Sequence, residues 1–146
     1  MGCVIAIDHG TKKTGFALAD AMRIITEPLD ICYAAGASPE LLAHIVGLCR
    51  ERDVERFVIG LPKNMDGSEG PRSADVRVFG ELLRAAVAAA KLPVPAITFW
   101  DERLSTKEAD SLLVEAGFHG KDRKARRDSW AALVILRDWQ EAGEPS

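Results

Sequence analysis

The sequence predicts an α/β fold in which helices pack on a mixed five-stranded sheet whose first three strands are antiparallel. Two observations predict it. The chain opens with apolar runs of strand length that are joined by short turns. It continues with apolar runs that alternate with segments whose apolar residues recur at helical spacing. The expected order is β-β-β-α-β-α-β-α-α, and 146 residues fit one domain spanning 1–146.

The opening strands follow from a compact apolar pattern. Residues 3–7 are nearly all apolar and rich in β-branched side chains, as in a strand that is buried on both faces. A polar turn bounded by glycines (8–15) leads to a second strand at 16–19, and a third extended segment is expected at 24–33. Short turns between these segments favour antiparallel pairing.

The remaining elements alternate between helix and strand. The first helix begins at a Ser-Pro-Glu start at 38–40, and the second spans 72–91. The third begins at a capping box at 105–108 and stops at Gly117, and the last runs from about Arg126 to Glu141. Buried strands are expected at 56–61 and 95–100, and a long turn-rich loop at 62–71.

Composition excludes several classes of protein. Hydrophobic residues make up 47% and charged residues 28%, which is ordinary for a soluble domain. No apolar run approaches the roughly 18 residues of a membrane-spanning helix. The first residues lack the basic segment of a secretory signal, so we expect a cytoplasmic protein. The wide spacing of Cys3, Cys32 and Cys49 predicts buried free thiols instead of a zinc site or disulfides.

Acidic residues at the ends of elements are the candidates for catalysis. Asp8 ends the first buried strand, and Asp101 and Glu102 end a later one. Neighbouring strand residues point to opposite faces, so only one of Asp101 and Glu102 can easily share a site with Asp8, and apolar residues on both faces leave open which one. Asp128 begins the last helix. Each acid also has a plain structural explanation as a turn residue, a solvated strand end or a helix-start acid.

A convergence of these acids predicts a metal site. Three carboxylates in one crevice would repel each other, and hard divalent cations such as Mg²⁺ or Mn²⁺ relieve that repulsion. Two such ions beside a phosphodiester can generate a hydroxide and stabilise the leaving oxygen, so no nucleophilic side chain is needed. His9, His44 and His119 are widely separated, which argues against a histidine metal site.

Several polar and basic residues are candidate substrate contacts. Lys63 and Asn64 lie in the strand-to-helix loop, Arg103 follows the second acid pair, and Lys124 and Arg127 belong to a run with five cations in residues 121–127. A plain surface loop and a solvated charged segment are the alternatives. The net charge of -3 argues against binding nucleic acid by bulk electrostatics but allows a local basic surface.

Three motifs together resemble the YqgF (RuvX) family. They occur in the family's order, the chain has the family's length, and the similarity extends from about residue 3 to residue 140. The motifs are Ile7-Asp8-His9-Gly10-Thr11-Lys12-Lys13-Thr14-Gly15, Gly60-Leu61-Pro62-Lys63-Asn64-Met65-Asp66-Gly67-Ser68 and Asp101-Glu102-Arg103-Leu104-Ser105-Thr106.

The resemblance implies a ribonuclease H-like nuclease fold related to the RuvC Holliday junction resolvases. It implies trimming of the 5′ end of precursor 16S rRNA, and some members are described as junction resolvases. By the same resemblance, Asp8 is the first-strand acid, Glu102 the second with Asp101 in reserve, and Asp128 the acid of the final helix. His9 stands where an aromatic or other residue often follows the first acid, and Arg127 stands where the family varies.

Four functions remain in competition. The first is an RNA-directed nuclease of ribosome maturation, and the second applies the same chemistry to branched DNA, for which a homodimer is plausible because a junction has two equivalent strands to cut. The motif at 8–11 also resembles the phosphate loop of the actin and sugar-kinase fold, but such ATPases need two domains and a far longer chain. A non-catalytic module that binds nucleic acid or ribosomes would have no obvious use for three acids.

Overall fold

The computed structural model describes residues 2–102 and 105–146. The helices are α1 (Pro39–Glu51), α2 (Pro71–Ala89), α3 (Ser105–Glu115) and α4 (Gly120–Glu141), and the strands are β1 (Cys3–His9), β2 (Thr14–Ala19), β3 (Thr26–Pro28), β4 (Val54–Leu61) and β5 (Ala96–Asp101).

The strands form one mixed sheet in the order β3-β2-β1-β4-β5. Strand β2 is antiparallel to both β1 and β3, whereas β1, β4 and β5 are mutually parallel. The predicted five-stranded sheet with an antiparallel opening is therefore confirmed. Strands β1, β3, β4 and β5 all run in one direction, so their carboxyl ends lie at the same edge of the sheet.

Helices cover both faces of the sheet because successive side chains of β1 alternate between two cores. Ile5 and Ile7 pack with α1 and α2, and Val4 and Ala6 pack with α4. Burying each large apolar side chain contributes about 1.5–3 kcal/mol. The partners on the first face include Leu41, Ile45, Val76, Phe79 and Leu83, and those on the second include Leu133, Leu136 and Trp139. Helix α3 packs against the outer side of α4.

Several element boundaries differ from the sequence prediction by one or two residues, and two differ by more. The third extended segment shortens to β3, after which the chain returns to the sheet only for a single bridge between Cys32 and Thr14. Helix α4 starts at Gly120 instead of about Arg126, so the whole basic run is helical. Lysine, arginine and alanine favour helices without giving an apolar period, which explains why the pattern missed these turns.

The cysteines, Gly117 and the apolarity of the helices bear on three further expectations. The three cysteines are free, but only Cys3 is buried, and Cys32 and Cys49 are partly exposed. Gly117 has a φ of 91°, in the left-handed region that a helix stop uses. Within residues 2–102 and 105–146, no helix combines the length and apolarity that crossing a bilayer requires.

Candidate active site

Asp8 lies near the carboxyl end of β1, on the sheet face that α4 covers. It continues the row of Val4 and Ala6, which pack under that helix. Its neighbours across the sheet are both glycines: Gly15 pairs with it on β2, and Gly60 follows Ile59, the partner of Ile7, on β4. The carboxylate therefore lies between two positions that carry no side chain.

The glycine on β4 makes room for Glu102. A Cβ atom on Gly60 would lie 2.5 Å from Glu102 Oε2 and 2.6 Å from Ile135 Cδ1, so any larger residue would displace the carboxyl group. The backbone N–H of Glu102 donates to Leu61 O at 3.3 Å, which extends the line of β5 by one residue. From there the Glu102 side chain passes over Gly60 and forms a hydrogen bond with Asp8.

The parity of β5 determines which acid faces Asp8. Trp100 packs into the α4 core, so Glu102 shares its face, whereas Asp101 falls on the α2 face with Phe99. The structure thus brings Glu102, and not Asp101, to Asp8.

The glycine on β2 brings Asp128 to the same place. A Cβ atom on Gly15 would overlap the carbonyl group of Asp128, so the backbone of α4 lies directly on β2 at this point. Asp128 is close enough for its charge to act on Asp8, the register partner of Gly15. Helix α4 therefore delivers the third acid to the edge where the other two meet.

The first two acids are electrostatically coupled. Desolvation raises the pKa of Asp8, and the charge of Asp128 adds to the shift, while the hydrogen bond from Glu102 and the charge of Arg72 oppose it. Desolvation, the charge of Asp8 and the hydrogen bond to Asp8 all raise the pKa of Glu102. Two buried like charges repel strongly, so without a cation the pair shares a proton, with Glu102 as the donor.

Lys13 neutralises the third acid. Its Nζ lies 2.9 Å from Asp128 Oδ2, and the two side chains are 42% and 20% exposed. The hydrogen bond from Gly10 N to Lys13 O closes the β1–β2 turn and holds the lysine beside the site. In the part of the chain that the structure describes, no three His, Cys, Asp or Glu side chains are grouped closely enough to surround one ion as they stand.

A second cation, Arg72, reaches the acids from the start of α2. Its Nη2 donates to His9 O at 3.1 Å, and its charge lowers the pKa of both Asp8 and Glu102. The side chain is 42% exposed, so one side of the guanidinium faces solvent. Sequence reasoning missed Lys13 and Arg72, although Lys13 lies in the glycine-bounded turn that follows Asp8.

His9 supports the strand end without carrying charge. Its ring stacks on Phe79 with a centroid distance of 4.0 Å, and Nδ1 lies 3.2 Å from Thr14 Oγ1. Burial and the charge of Arg72 lower the pKa of His9 to about 4, so the imidazole is neutral at physiological pH.

The candidate substrate contacts are found in three settings. Lys63 and Asn64 lie in a loop that closes on itself. The backbones of Lys63 and Glu69 form an isolated antiparallel β-bridge, and Asn64 Nδ2 donates a 2.9 Å hydrogen bond to Ser68 Oγ. Arg103 lies outside the described residues.

The two basic candidates on α4 differ from each other. Arg127 Nε donates to Asp110 Oδ1 at 2.9 Å, so this arginine joins α4 to α3. Lys124 is exposed on the same helix. These observations do not place Arg127 or Lys124 with the three acids, and the role of both residues in binding stays a prediction.

Comparison with known proteins places these features in context. A family model described as "RuvX: Holliday junction resolvase" matches residues 2–142. A protein of Syntrophomonas wolfei named "Putative pre-16S rRNA nuclease" is 36% identical over 140 residues, which is 96% of this chain and 94% of that protein. A Rhodobacter capsulatus protein of the same name is 41% identical over 137 residues, covering 94% of this chain and 82% of the relative.

Solved structures share the architecture. The chain matches Thermus thermophilus RuvC bound to a Holliday junction substrate with a TM-score of 0.56 and 12% identity, over 97% of this chain and 96% of that one. At this identity the likeness shows the fold alone, and it confirms the predicted ribonuclease H-like architecture.

Proposed function

Because the chain belongs to the RuvX family and is a nuclease, we propose that it hydrolyses phosphodiester bonds in the 5′ region of precursor 16S rRNA. In this proposal Asp8, Glu102 and Asp128 bind the divalent cations. The observation that supports the proposal most is the hydrogen-bonded Asp8–Glu102 pair with the charge of Asp128 beside it. The site would act in the cytoplasm, where precursor rRNA is processed.

The donor set suits hard cations. It consists of carboxylate oxygens, which Mg²⁺ and Mn²⁺ prefer, and it contains no thiolate or imidazole ligand. Burial is the main cause of the raised pKa values of Asp8 and Glu102, and the charges of Asp128 and Asp8 respectively add to it. A divalent cation would stabilise the ionised carboxylates against both effects. Binding would require the pair to release its shared proton and Asp128 to exchange Lys13 for a cation. We expect two ions, which when bound would activate water and stabilise the leaving oxygen.

The chain's own cations complete the site. Released from Asp128, Lys13 would remain at the same edge of the sheet and could contact the phosphate that enters. Arg72 is already fixed by His9 O and faces the acids, so it can donate to a non-bridging phosphate oxygen. Together they would offset the charge that develops on the phosphate during hydrolysis.

RNA is the favoured substrate because the curated relatives carry rRNA nuclease names. Branched DNA is the second candidate, since the family description and the RuvC fold both point to junction resolution. A resolvase would need two copies of the chain to cut two strands, whereas trimming of one RNA end needs one.

Cleavage assays on matched substrates test the proposal. The parent protein should cut an RNA that spans the precursor 16S 5′ junction in Mg²⁺ or Mn²⁺ but not in chelator, and Asp8→Asn should reduce the rate by about 100-fold or more while keeping the fold. Efficient cutting of a four-way DNA junction with little cutting of the RNA would favour the second candidate. Cleavage by Asp8→Asn at the parent rate would refute the three-acid site.

A further inference from the structure

A groove of about 560 Å³ lies beside the acid site, between α4 and the segment that follows β3. Asp30 and Tyr33 line one wall, and Arg126, Ser129 and Trp130 line the other. We infer that this groove holds an unpaired stretch of the nucleic acid substrate a few nucleotides from the bond that is cut. The inference rests on the proposed function and specifies the form of its substrate.

The topology places the groove on the path of a bound strand. The segment after β3 emerges at the same edge of the sheet as Asp8, because β1 and β3 run in one direction. Thr14 pairs with His9 on one side and with Cys32 on the other, so the groove wall lies two strand spacings, about 10 Å, from the end of β1. Ser129 in the opposite wall directly follows Asp128. A chain cut at the acids can thus continue into the groove.

The lining suits unpaired bases. Tyr33 is 71% exposed, so its ring is open to contact from a bound base. Bases in a single strand stack on such rings, whereas bases in a duplex are already stacked on each other. The Asp30 carboxylate on the same wall can accept hydrogen bonds from the amino groups of bases.

The opposite wall suits the phosphates. The guanidinium of Arg126 lies 4.3 Å from the centroid of the Phe118 ring, so a cation–π contact holds it in place. The groove therefore offers an aromatic ring for bases on one wall and a fixed cation for the backbone on the other, the combination that single-strand binding sites use.

Binding measurements in the Asp8→Asn background test this, because that variant keeps the groove and does not degrade the probe. The probes are a fluorescent single-stranded RNA of about ten nucleotides and an RNA duplex, both in chelator. Tyr33→Ala should weaken single-strand binding by about 5- to 100-fold and leave duplex binding unchanged. Tyr33→Phe should bind like Asp8→Asn alone, which is the parent in these binding measurements, because it keeps the ring.

Two further variants sharpen the test. Arg126→Ala should lower the slope of log affinity against log salt by about 0.7, the contribution of one phosphate contact to a single strand. Ile24→Ala, at a 76% exposed residue at the other end of the β2–β3 hairpin, should match the parent. Circular dichroism and thermal melting verify that each variant folds.

Equal single-strand affinity of the parent and Tyr33→Ala, including an absence of binding by both, would overturn the proposal. So would an equal loss of duplex binding in Tyr33→Ala. Either result could coexist with metal-dependent cleavage that needs Asp8, so the failure of the groove and the failure of the nuclease site are distinguishable.

Discussion

At the scale of single residues, the carboxyl groups of the acid site destabilise the folded protein. Asp8 and Glu102 are brought together in a desolvated position where both carboxyl pKa values rise, and Asp128 adds a further negative charge. Nothing in the packing of the sheet requires these charges, since Asn or Gln would fill the same space. Perturbed carboxyl groups of this kind cluster at functional sites.

This cost predicts a pH dependence of stability. When the folded pKa of a carboxyl group exceeds its unfolded value, near 4, the folded state binds more protons than the unfolded state at any pH between the two pKa values. The free energy of unfolding therefore falls as the pH rises from the unfolded pKa to the folded pKa. In chelator, the parent should therefore lose thermal stability relative to Asp8→Asn between about pH 5 and pH 8, opening a gap of about 3 °C or more. Melting curves measured across this range that stay parallel would contradict the prediction.

Arg72 gives a second prediction for a single residue. Because its guanidinium is fixed beside the acids by His9 O, Arg72→Ala should reduce kcat/KM by about 10- to 100-fold with little change in melting temperature. Arg84→Ala is a matched control on the same helix. Arg72 forms an exposed ion pair with Asp75, and Arg84 forms one with Glu81. If both variants lose activity equally, Arg72 has no special role at the site.

Sequence reasoning could locate the acids but not all their neighbours. Asp8 and Glu102 end apolar strands, a signal that is local in the chain. Arg72 contacts His9 from 63 residues away, and no local pattern reports such a contact. The choice between Asp101 and Glu102 depended on which core receives Trp100, and apolar residues on both faces of β5 hid that answer.

At the scale of elements, two glycines determine where α4 and Glu102 lie. Gly15 lets the helix backbone rest on β2, and Gly60 lets a side chain cross β4. The small side chains Ala6 and Ala17 continue the same face of the sheet under α4. The helix therefore approaches the sheet closely enough for its first half to carry Asp128 to the strand ends.

Gly15→Ala tests this contact. The added Cβ atom would overlap the α4 backbone, which cannot rotate away as a side chain can, so the variant should lose about 1–3 kcal/mol of unfolding free energy. Gly47→Ala in α1 is the control: its Cβ would meet nothing within 4 Å, and alanine should stabilise that helix by about 0.5–1 kcal/mol. Urea unfolding measures both, and an undiminished stability of Gly15→Ala would mean that α4 does not lie on β2.

The elements that sequence reasoning predicted less well lack a strong apolar period. Strand β3 is only Thr26–Pro28, with one partly buried and two exposed residues, so its ends cannot be found from burial patterns. The first two turns of α4 are mainly basic and exposed. By contrast, β1, β4 and the helices over the sheet bury apolar side chains on one or both of their faces. Their existence and order were predicted correctly.

At the scale of the whole molecule, the net charge of -3 means that a polyanionic substrate has to be attracted locally. The cations at the acid edge and in the groove come from three different segments of the chain: Lys13, Arg72 and Arg126. The fold gathers them at one end of the sheet, around the carboxylates that would otherwise repel a phosphate. Cleavage should therefore weaken as salt rises.

The central claim is that Glu102, together with Asp8 and Asp128, binds divalent cations, and calorimetric titration with Mn²⁺ tests it most directly. The parent and Asp101→Asn should bind Mn²⁺ with similar affinity, because Asp101 lies on the other face of the sheet, and Glu102→Gln should bind at least about tenfold more weakly. Equal binding by the parent and Glu102→Gln, or a loss of binding in Asp101→Asn alone, would contradict the account.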